Sequence, residues 1–245
     1  MKLTIGHIYP DLLNLFGDRG NIQSLVKRLE WRGIEVEVIS FLSEDEIDFS
    51  KVDLVLLGGG SEREQETACG LLRKYSSEFK SYIEDDGVVL AVCGGFEMLG
   101  KYYFTKSGKV EGLSVLDITS DWQEEKKIGN ISLECPLSTL PVYGFENHVC
   151  KINIGSYTPF AKIMHGHGNA DDNREGLIYK NVIATSLCGP LLPKNPQISD
   201  NLLERALSRK YKEEVHLEPL NDELEKFTNE QVAPLFTTKV LLSRM

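Results

Sequence analysis

The sequence predicts an α/β fold in which a mostly parallel β-sheet is flanked by helices, as in flavodoxin-like or Rossmann-like proteins. Short apolar runs alternate with amphipathic, helix-like segments over the first hundred residues, and two of these runs end in glycine-containing turns. With 245 residues and 41% hydrophobic composition, the chain can bury one substantial core. We therefore expect one large domain rather than two small ones.

The elements of the first hundred residues follow from the spacing of apolar side chains. The predicted strands are residues 3–8, 34–39, 52–57 and 88–92. One predicted helix begins at Asn21 and ends near Gly33, and a longer one covers about 62–83. Strands joined in this order by crossover helices form a parallel sheet, and ligands bind such sheets beyond the carboxyl ends of the strands.

The second half of the chain has a different pattern. Short β-like runs occur at 113–116, 128–133, 142–145, 151–154 and 182–185. We expect them to form the antiparallel or mixed edge of the same sheet. A helix follows at about 200–211, and the acidic tail after His216 predicts a surface helix with a frayed end. The expected division is one domain over 1–212 and a helical tail over 213–245.

Composition excludes several classes of protein. The net charge of −10 argues against nucleic acid as a partner, because phosphate binding needs a basic surface. The chain has no apolar run long enough for membrane insertion and begins directly with a strand-like segment, so we expect no signal peptide. The five cysteines are scattered without CxxC spacing, which predicts free thiols in a cytoplasmic protein and no metal site.

The strongest chemical feature is Cys93, which lies where the apolar run 88–92 turns into a helix through Gly94 and Gly95. This pattern is typical of a nucleophile elbow, in which a strained turn exposes the sulfur. The N–H of Gly94 and the start of the helix would favour a thiolate and a developing oxyanion. The alternative is a buried, inert thiol.

Two further segments are candidates for the same site. Residues 58–61 (GGGS) follow a predicted parallel strand, so their backbone N–H groups could approach a substrate carbonyl as an oxyanion hole, although a plain tight turn has the same pattern. His148 lies in the segment 144–148 (GFENH), and its spacing alone does not indicate a catalytic base.

Together these segments carry a resemblance to a known family. The matching pieces are 9–21 (YPDLLNLFGDRGN), 58–65 (GGGSEREQ), 93–96 (CGGF), 144–148 (GFENH) and 179–195, from YKNV to GPLLPKN. In this order they resemble the class I glutamine amidotransferases of the cobyric acid synthase type, and within that group the glutaminase subunits of lipid II isoglutaminyl synthases. The resemblance implies a single-domain class I glutamine amidotransferase-like fold.

It also implies a function in peptidoglycan biosynthesis. Such a subunit hydrolyses glutamine, without a cofactor of its own, and passes ammonia to a Mur-ligase-like partner (MurT) in a heterodimer. The partner uses ATP to activate the α-carboxylate of D-glutamate in the lipid II stem peptide, so contact with lipid II is made through the partner. The carried-over roles are Cys93 as nucleophile and the backbone N–H groups around Gly59, Gly60 and Gly94 as oxyanion hole.

Four positions depart from the family pattern. The catalytic histidine of the family aligns with Cys188, and a thiol with a pKa of about 8.5 is a poor base where an imidazole with a pKa of about 6.5 would serve. Lys126 aligns with a substrate-binding arginine and keeps the charge but loses the bidentate fork. Glu97 replaces a glutamine, and Cys150 lies in a segment that also differs.

Two hypotheses therefore remain open. In the first, the chain is a working but impaired glutaminase, with His148, His165 or His167 as substitute base or with the partner completing the site. In the second, it is an inactive pseudo-amidotransferase that serves as a binding or regulatory subunit. If Cys188 occupies the place of the family histidine, its sulfur should lie within disulfide reach of Cys93, provided that the Cα atoms are within about 7 Å.

Overall fold

A computed structural model describes residues 1–170 and 172–237 of the chain. Its α-helices are α1 (Arg19–Glu30), α2 (Glu62–Leu72), α3 (Ser76–Glu84), α4 (Gly94–Met98), α5 (Pro196–Tyr211) and α6 (Glu223–Thr237). Its strands are β1 (Lys2–Ile8), β2 (Glu35–Phe41), β3 (Leu54–Leu57), β4 (Val88–Val92), β5 (Tyr102–Thr105), β6 (Gly108–Glu111), β7 (Thr119–Glu134), β8 (Val142–Asn153), β9 (Ala161–His165), β10 (Arg174–Glu175), β11 (Leu177–Tyr179), β12 (Val182–Thr185) and β13 (Leu187–Cys188).

The first sheet has six strands in the order β11-β12-β4-β3-β1-β2, and all its pairs except β11 with β12 are parallel. Every residue of β3 and β4 is buried, which is why both read as continuous apolar runs. One buried cluster packs α2 and α3 on one face, and a second packs α1 and α5 on the other. The predicted α/β class and the four N-terminal strands are confirmed.

The prediction that the later β-runs form the edge of this sheet is wrong for most of them. Only 182–185 joins it, as β12. The runs at 128–133, 142–145 and 151–154 contribute to a second sheet of seven strands. This sheet is centred on a long antiparallel ladder between β7 and β8. The sequence hides this ladder because β7 continues through the charged residues 124–127, where the register shifts at a bulge. The predicted strand at 113–116 is instead a loop between β6 and β7.

The predicted helix over 62–83 is divided in the structure. A short 3₁₀ turn at Arg73–Tyr75 separates α2 from α3. Leu72 and Phe79, the last buried residue of α2 and the first of α3, are two helical turns apart, so the apolar period runs on through the interruption and gives no sign of it. Helix α2 begins with a capping box between Ser61 and Glu64, directly after the glycine run.

The tail folds back onto the domain. Arg28, only 3% exposed, donates hydrogen bonds to Asp200 of α5 and to Asp222, just before α6. Further along, Asn229 donates to the Pro141 carbonyl at 3.0 Å. Helix α6 is the expected surface helix, and the last eight residues of the tail lie outside the described residues. No helix in the described part of the chain is long and apolar enough to cross a membrane.

Candidate active site

Cys93 lies in a strained turn between β4 and α4. Its φ of +54° and ψ of −124° are rare for a residue with a side chain and cost on the order of 1–3 kcal/mol. Its N–H donates to the Thr185 carbonyl at 2.9 Å, which ties the turn to the end of β12. The turn predicted for this position is therefore present, and it directs the sulfur into a cavity.

Glycines allow the end of β3 to approach this turn. A Cβ added to Gly59 would lie 2.9 Å from the Cys93 Cβ and 3.1 Å from its sulfur. A Cβ on Gly95 would lie 2.3 Å from the Leu57 carbonyl oxygen, which is backbone and cannot swing aside. The two glycine segments predicted to face each other do so, and their packing leaves no room for larger residues.

The backbone N–H of Gly59, one of the predicted oxyanion donors, donates to Oδ2 of Asp18 at 3.0 Å. Asp18 is completely buried beneath the glycine run, and its Oδ1 has no hydrogen-bond partner in the described part of the chain. Burial raises the pKa of Asp18 to about 6, although the Gly59 N–H opposes the shift. Gly60 and Gly94 line the cavity, and their part in an oxyanion hole stays a prediction.

The cavity has a volume of about 250 Å³ and lies between the two sheets. Polar or charged side chains from both sheets and from α2 line it: Ser61, Glu62, Gln65, Cys93, Glu97, Thr105, Lys106, Lys126, Asn147, His148, Cys150 and Ser186. Lys126 is exposed at its rim, so its predicted contact with substrate stays a prediction. No group of three or more metal-ligating side chains is present among residues 1–170 and 172–237.

Cys188 lies against the predicted nucleophile. It belongs to β13, which pairs with β8 at Phe145, and its sulfur is 2.8 Å from the sulfur of Cys93. Both cysteines are free thiols, and Cys188 is only 3% exposed. The proximity predicted for these two sulfurs is confirmed.

This contact changes the protonation of Cys93. The hydrogen bond with Cys188, then burial and the negative charges of Glu97 and Asp18, raise the pKa of Cys93 well above that of a free thiol. The sequence predicted an environment that favours a thiolate, and the structure shows the opposite. At neutral pH Cys93 is a protonated thiol that needs a base before it can attack.

His148 is the one of the three candidate substitute bases that belongs to the cavity wall. Its Nδ1 is 3.1 Å from the Cys150 carbonyl oxygen and its Nε2 is 3.4 Å from Glu146 Oε2. Burial opposes a charge on the ring, but these acceptors outweigh it and raise the pKa of His148. Both ring nitrogens of His148 therefore face acceptor atoms other than the Cys93 sulfur.

The other two candidates lie elsewhere. His165 is exposed and its ring packs against Phe236 of α6, with the ring centres 5.6 Å apart. His167 is also exposed, and its backbone N–H donates to Glu146 at 2.9 Å.

Glu97 adds a carboxyl group to the cavity wall. It accepts hydrogen bonds from Gln65 Nε2 at 2.9 Å and from Ser120 Oγ at 3.3 Å. Burial raises its pKa, and these donors oppose the shift. A half-buried carboxyl group therefore stands in the cavity wall and adds negative charge near Cys93.

Glu175 was missed from the sequence. It is completely buried, and its carboxyl accepts from the Ser186 N–H and the Thr185 hydroxyl, both at 2.8 Å. Burial raises its pKa to about 7. The residue thereby holds the segment that leads to Cys188. An isolated glutamate in a polar turn gave no signal, whereas Asp18 could have been noticed because it lies in a segment that carries the family resemblance.

The parallel sheet, the strained cysteine turn and the facing glycine run together define a protein of the glutamine amidotransferase class. Residues 4–196 match the family of CobB/CobQ-like glutamine amidotransferase domains, and the chain belongs to this family.

The most similar curated relatives include two proteins of one name, the lipid II isoglutaminyl synthase (glutamine-hydrolyzing) subunit GatD. The chain is 41% identical to that of Staphylococcus aureus (strain N315) over 214 residues, which covers 85% of this chain and 86% of the relative. It is 35% identical to that of Streptococcus pneumoniae (strain ATCC BAA-255 / R6) over 225 residues, covering 90% and 86%. A cobyric acid synthase of Listeria innocua is 32% identical over 174 residues, covering 67% of this chain and 34% of that protein.

Solved structures share the fold at low sequence identity. PurLQS from Thermotoga maritima superposes with a TM-score of 0.54 at 14% identity and covers 86% of this chain and 99% of that one. A glutamine amidotransferase from Thermotoga maritima superposes with a TM-score of 0.54 at 13% identity and covers 96% and 93%.

Proposed function

We propose that the chain is the glutaminase-type subunit of a lipid II isoglutaminyl synthase, with catalysis impaired or altered because Cys188 stands where the family has its base. The observation that carries the proposal is the strained Cys93 turn in a cavity of about 250 Å³, in a chain 41% identical to a subunit of that name over most of its length. The subunit would work in the cytoplasm, where thiols stay reduced.

The proposed partner is a Mur-ligase-like subunit (MurT) that consumes ATP and presents D-glutamate of the lipid II stem peptide. Glutamine hydrolysis at Cys93 supplies ammonia, and the partner's activated α-carboxylate takes it up to form D-isoglutamine. Lipid II contacts the complex through the partner. The support for this assembly is the printed name of two relatives that align with most of the chain.

The reaction asks for a proton acceptor beside the Cys93 sulfur. The Cys93 sulfur attacks the side-chain carbonyl of glutamine, N–H donors at Gly60 and Gly94 stabilise the oxyanion, ammonia leaves, and water hydrolyses the thioester. The thiol proton must first move to a base and then to ammonia. Cys188 is the group in contact with the Cys93 sulfur, and a thiol serves poorly in either step.

A pseudo-amidotransferase is the second candidate. The raised pKa of Cys93 and the engagement of both His148 nitrogens favour it. In that case the chain keeps the fold and the partner surface but does not hydrolyse glutamine.

The test is glutamate release from glutamine by the purified chain, with and without its ligase partner. The variants are Cys93→Ala, Cys188→His and Cys188→Ser. Cys188→His should raise the rate by about 10²–10⁴-fold, the usual contribution of a general base, and Cys188→Ser should not. Wild-type activity that Cys93→Ala abolishes supports the working subunit. A wild type without activity that Cys188→His restores supports the pseudo-enzyme, and release unaffected by Cys93→Ala would refute both.

A further inference from the structure

The sulfurs of Cys93 and Cys188 lie almost close enough for a disulfide bond. The Cys93 and Cys188 sulfurs are 2.8 Å apart, whereas a disulfide spans about 2.05 Å, so closing the bond requires a movement of less than about 1 Å. We infer that this pair is a thiol-oxidation site at which a hydroperoxide joins Cys93 to Cys188 in a reversible disulfide. The bond would block the nucleophile, and this consequence alone rests on the proposed function.

The backbone holds both cysteines in place. The Cys93 N–H donates to the Thr185 carbonyl, and Cys188, three residues further along, is held by the pairing of β13 with β8. The buried carboxyl of Glu175 fixes the segment between them through Thr185 and Ser186. One short stretch of chain therefore positions the backbone of both cysteines.

Access to the cavity determines which sulfur reacts first. Cys93 is part of the cavity wall, whereas Cys188 is 3% exposed and reaches the cavity only through its contact with Cys93. The Cys93 sulfur attacks the terminal oxygen of the hydroperoxide and the O–O bond breaks. The Cys93 thiol proton passes to the leaving oxygen, so that a sulfenic acid forms and the alcohol or water leaves. The Cys188 sulfur then attacks the Cys93 sulfur, and the hydroxyl group leaves as water with the Cys188 proton. The two sulfurs together lose the two electrons that reduce the peroxide.

The other three cysteines have different surroundings. The sulfurs of Cys69, Cys135 and Cys150 each donate to a backbone carbonyl, at distances of 3.4–3.5 Å. Cys150 is the matched control, because it lines the same cavity but its sulfur lies against the Phe104 carbonyl.

To test this, the 245-residue chain is treated with hydrogen peroxide and its remaining thiols are blocked. Its peptides are then mapped by mass spectrometry without reduction. We expect the titre of free thiols to fall from five to three and the peptides that contain Cys93 and Cys188 to be joined. Dithiothreitol should restore all five thiols. Cys150→Ser should still form the link, whereas Cys188→Ser and Cys93→Ser should each abolish it.

A titre that stays at five, or a loss of thiols without the 93–188 peptide, would overturn the inference. The map detects a bond and requires no glutamine hydrolysis, so the proposed function is tested separately. A protein that forms the link but is inactive in every variant refutes the proposed function and keeps the oxidation site. A protein that hydrolyses glutamine but never forms the link refutes the oxidation site and keeps the proposed function.

Discussion

The parallel sheet and the second sheet contribute to the same cavity in different ways. The parallel sheet keeps the full geometry of a nucleophile: a positive φ at Cys93 and glycines packed against backbone and sulfur. The second sheet, which β13 joins, supplies Cys188 and the imidazole of His148, whose ring nitrogens face other acceptors. The backbone of the nucleophile turn and the side chains around its sulfur thus come from different sheets.

The two regions differ in what maintains them. A larger residue at Gly95 would strike the Leu57 carbonyl, so packing favours glycine here whatever the activity. At position 188 the backbone pairing places the side chain, and another side chain can occupy the same direction. Packing therefore constrains the residues around the nucleophile turn more tightly than it constrains the side chain at position 188.

The largest expected effect comes from breaking the elbow. Gly95→Ala should lower the free energy of unfolding by about 3 kcal/mol, because its methyl group meets backbone oxygens that cannot rotate away. Gly129→Ala in β7 of the second sheet is the matched control, since nothing lies within 4 Å of its Cβ, and it should be neutral or slightly stabilising. Urea unfolding measures the stability of both variants. Equal stability of Gly95→Ala and Gly129→Ala would contradict the predicted clash at Gly95.

A second prediction concerns the segment that leads to Cys188. Glu175 has a pKa of about 7 when folded and 4.5 when unfolded, so the native state holds the proton longer. Stability from this group is therefore complete below about pH 4.5 and is lost as the pH rises through about 7, a change of about 2–3 kcal/mol. Glu175→Gln should remove that decline.

Unfolding free energies measured from pH 4 to 8 check this, with Glu78→Gln on exposed α3 surface as a control of equal charge change. The pKa of Asp18 is also raised, so Asp18 makes the unfolding free energy fall with rising pH as well. Glu175→Gln and Glu78→Gln both keep this contribution. The difference between the curves of wild type and Glu175→Gln is the quantity of interest, and a constant difference across the range would count against a buried, protonated Glu175.

The smallest expected effect is on the reactivity of the Cys93 sulfur. Because the hydrogen bond with Cys188 is the largest cause of the raised pKa of Cys93, Cys188→Ala should lower that pKa and speed alkylation by iodoacetamide about tenfold for each pKa unit. Cys150→Ala removes a sulfur from the same cavity and should change the rate less. Equal acceleration in both variants would show that cavity opening, not the sulfur contact, controls Cys93.

Sequence patterns identified the parallel sheet because the apolar runs of β3 and β4 are local and uninterrupted. They also identified the Cys93 turn, since a cysteine followed by two glycines at a strand end has few other uses. The second sheet was misplaced because β7 passes through charged residues whose outward side chains mask its period. The carboxyl groups of Asp18 and Glu175 gave no spacing signal of their own, since burial decides their role.

The sequence by itself determined the class of fold, the candidate nucleophile Cys93 and the presence of a second cysteine at position 188, since each follows from local pattern or from which residue type occupies a position. The tertiary structure decided that the two sulfurs lie 2.8 Å apart, that the Gly59 N–H is held by Asp18, and that Cys93 stays protonated. These depend on distances between segments far apart in the chain and on removal from water. The local pattern of residues encodes neither the distances nor the burial, because both arise only when segments far apart in the chain pack together.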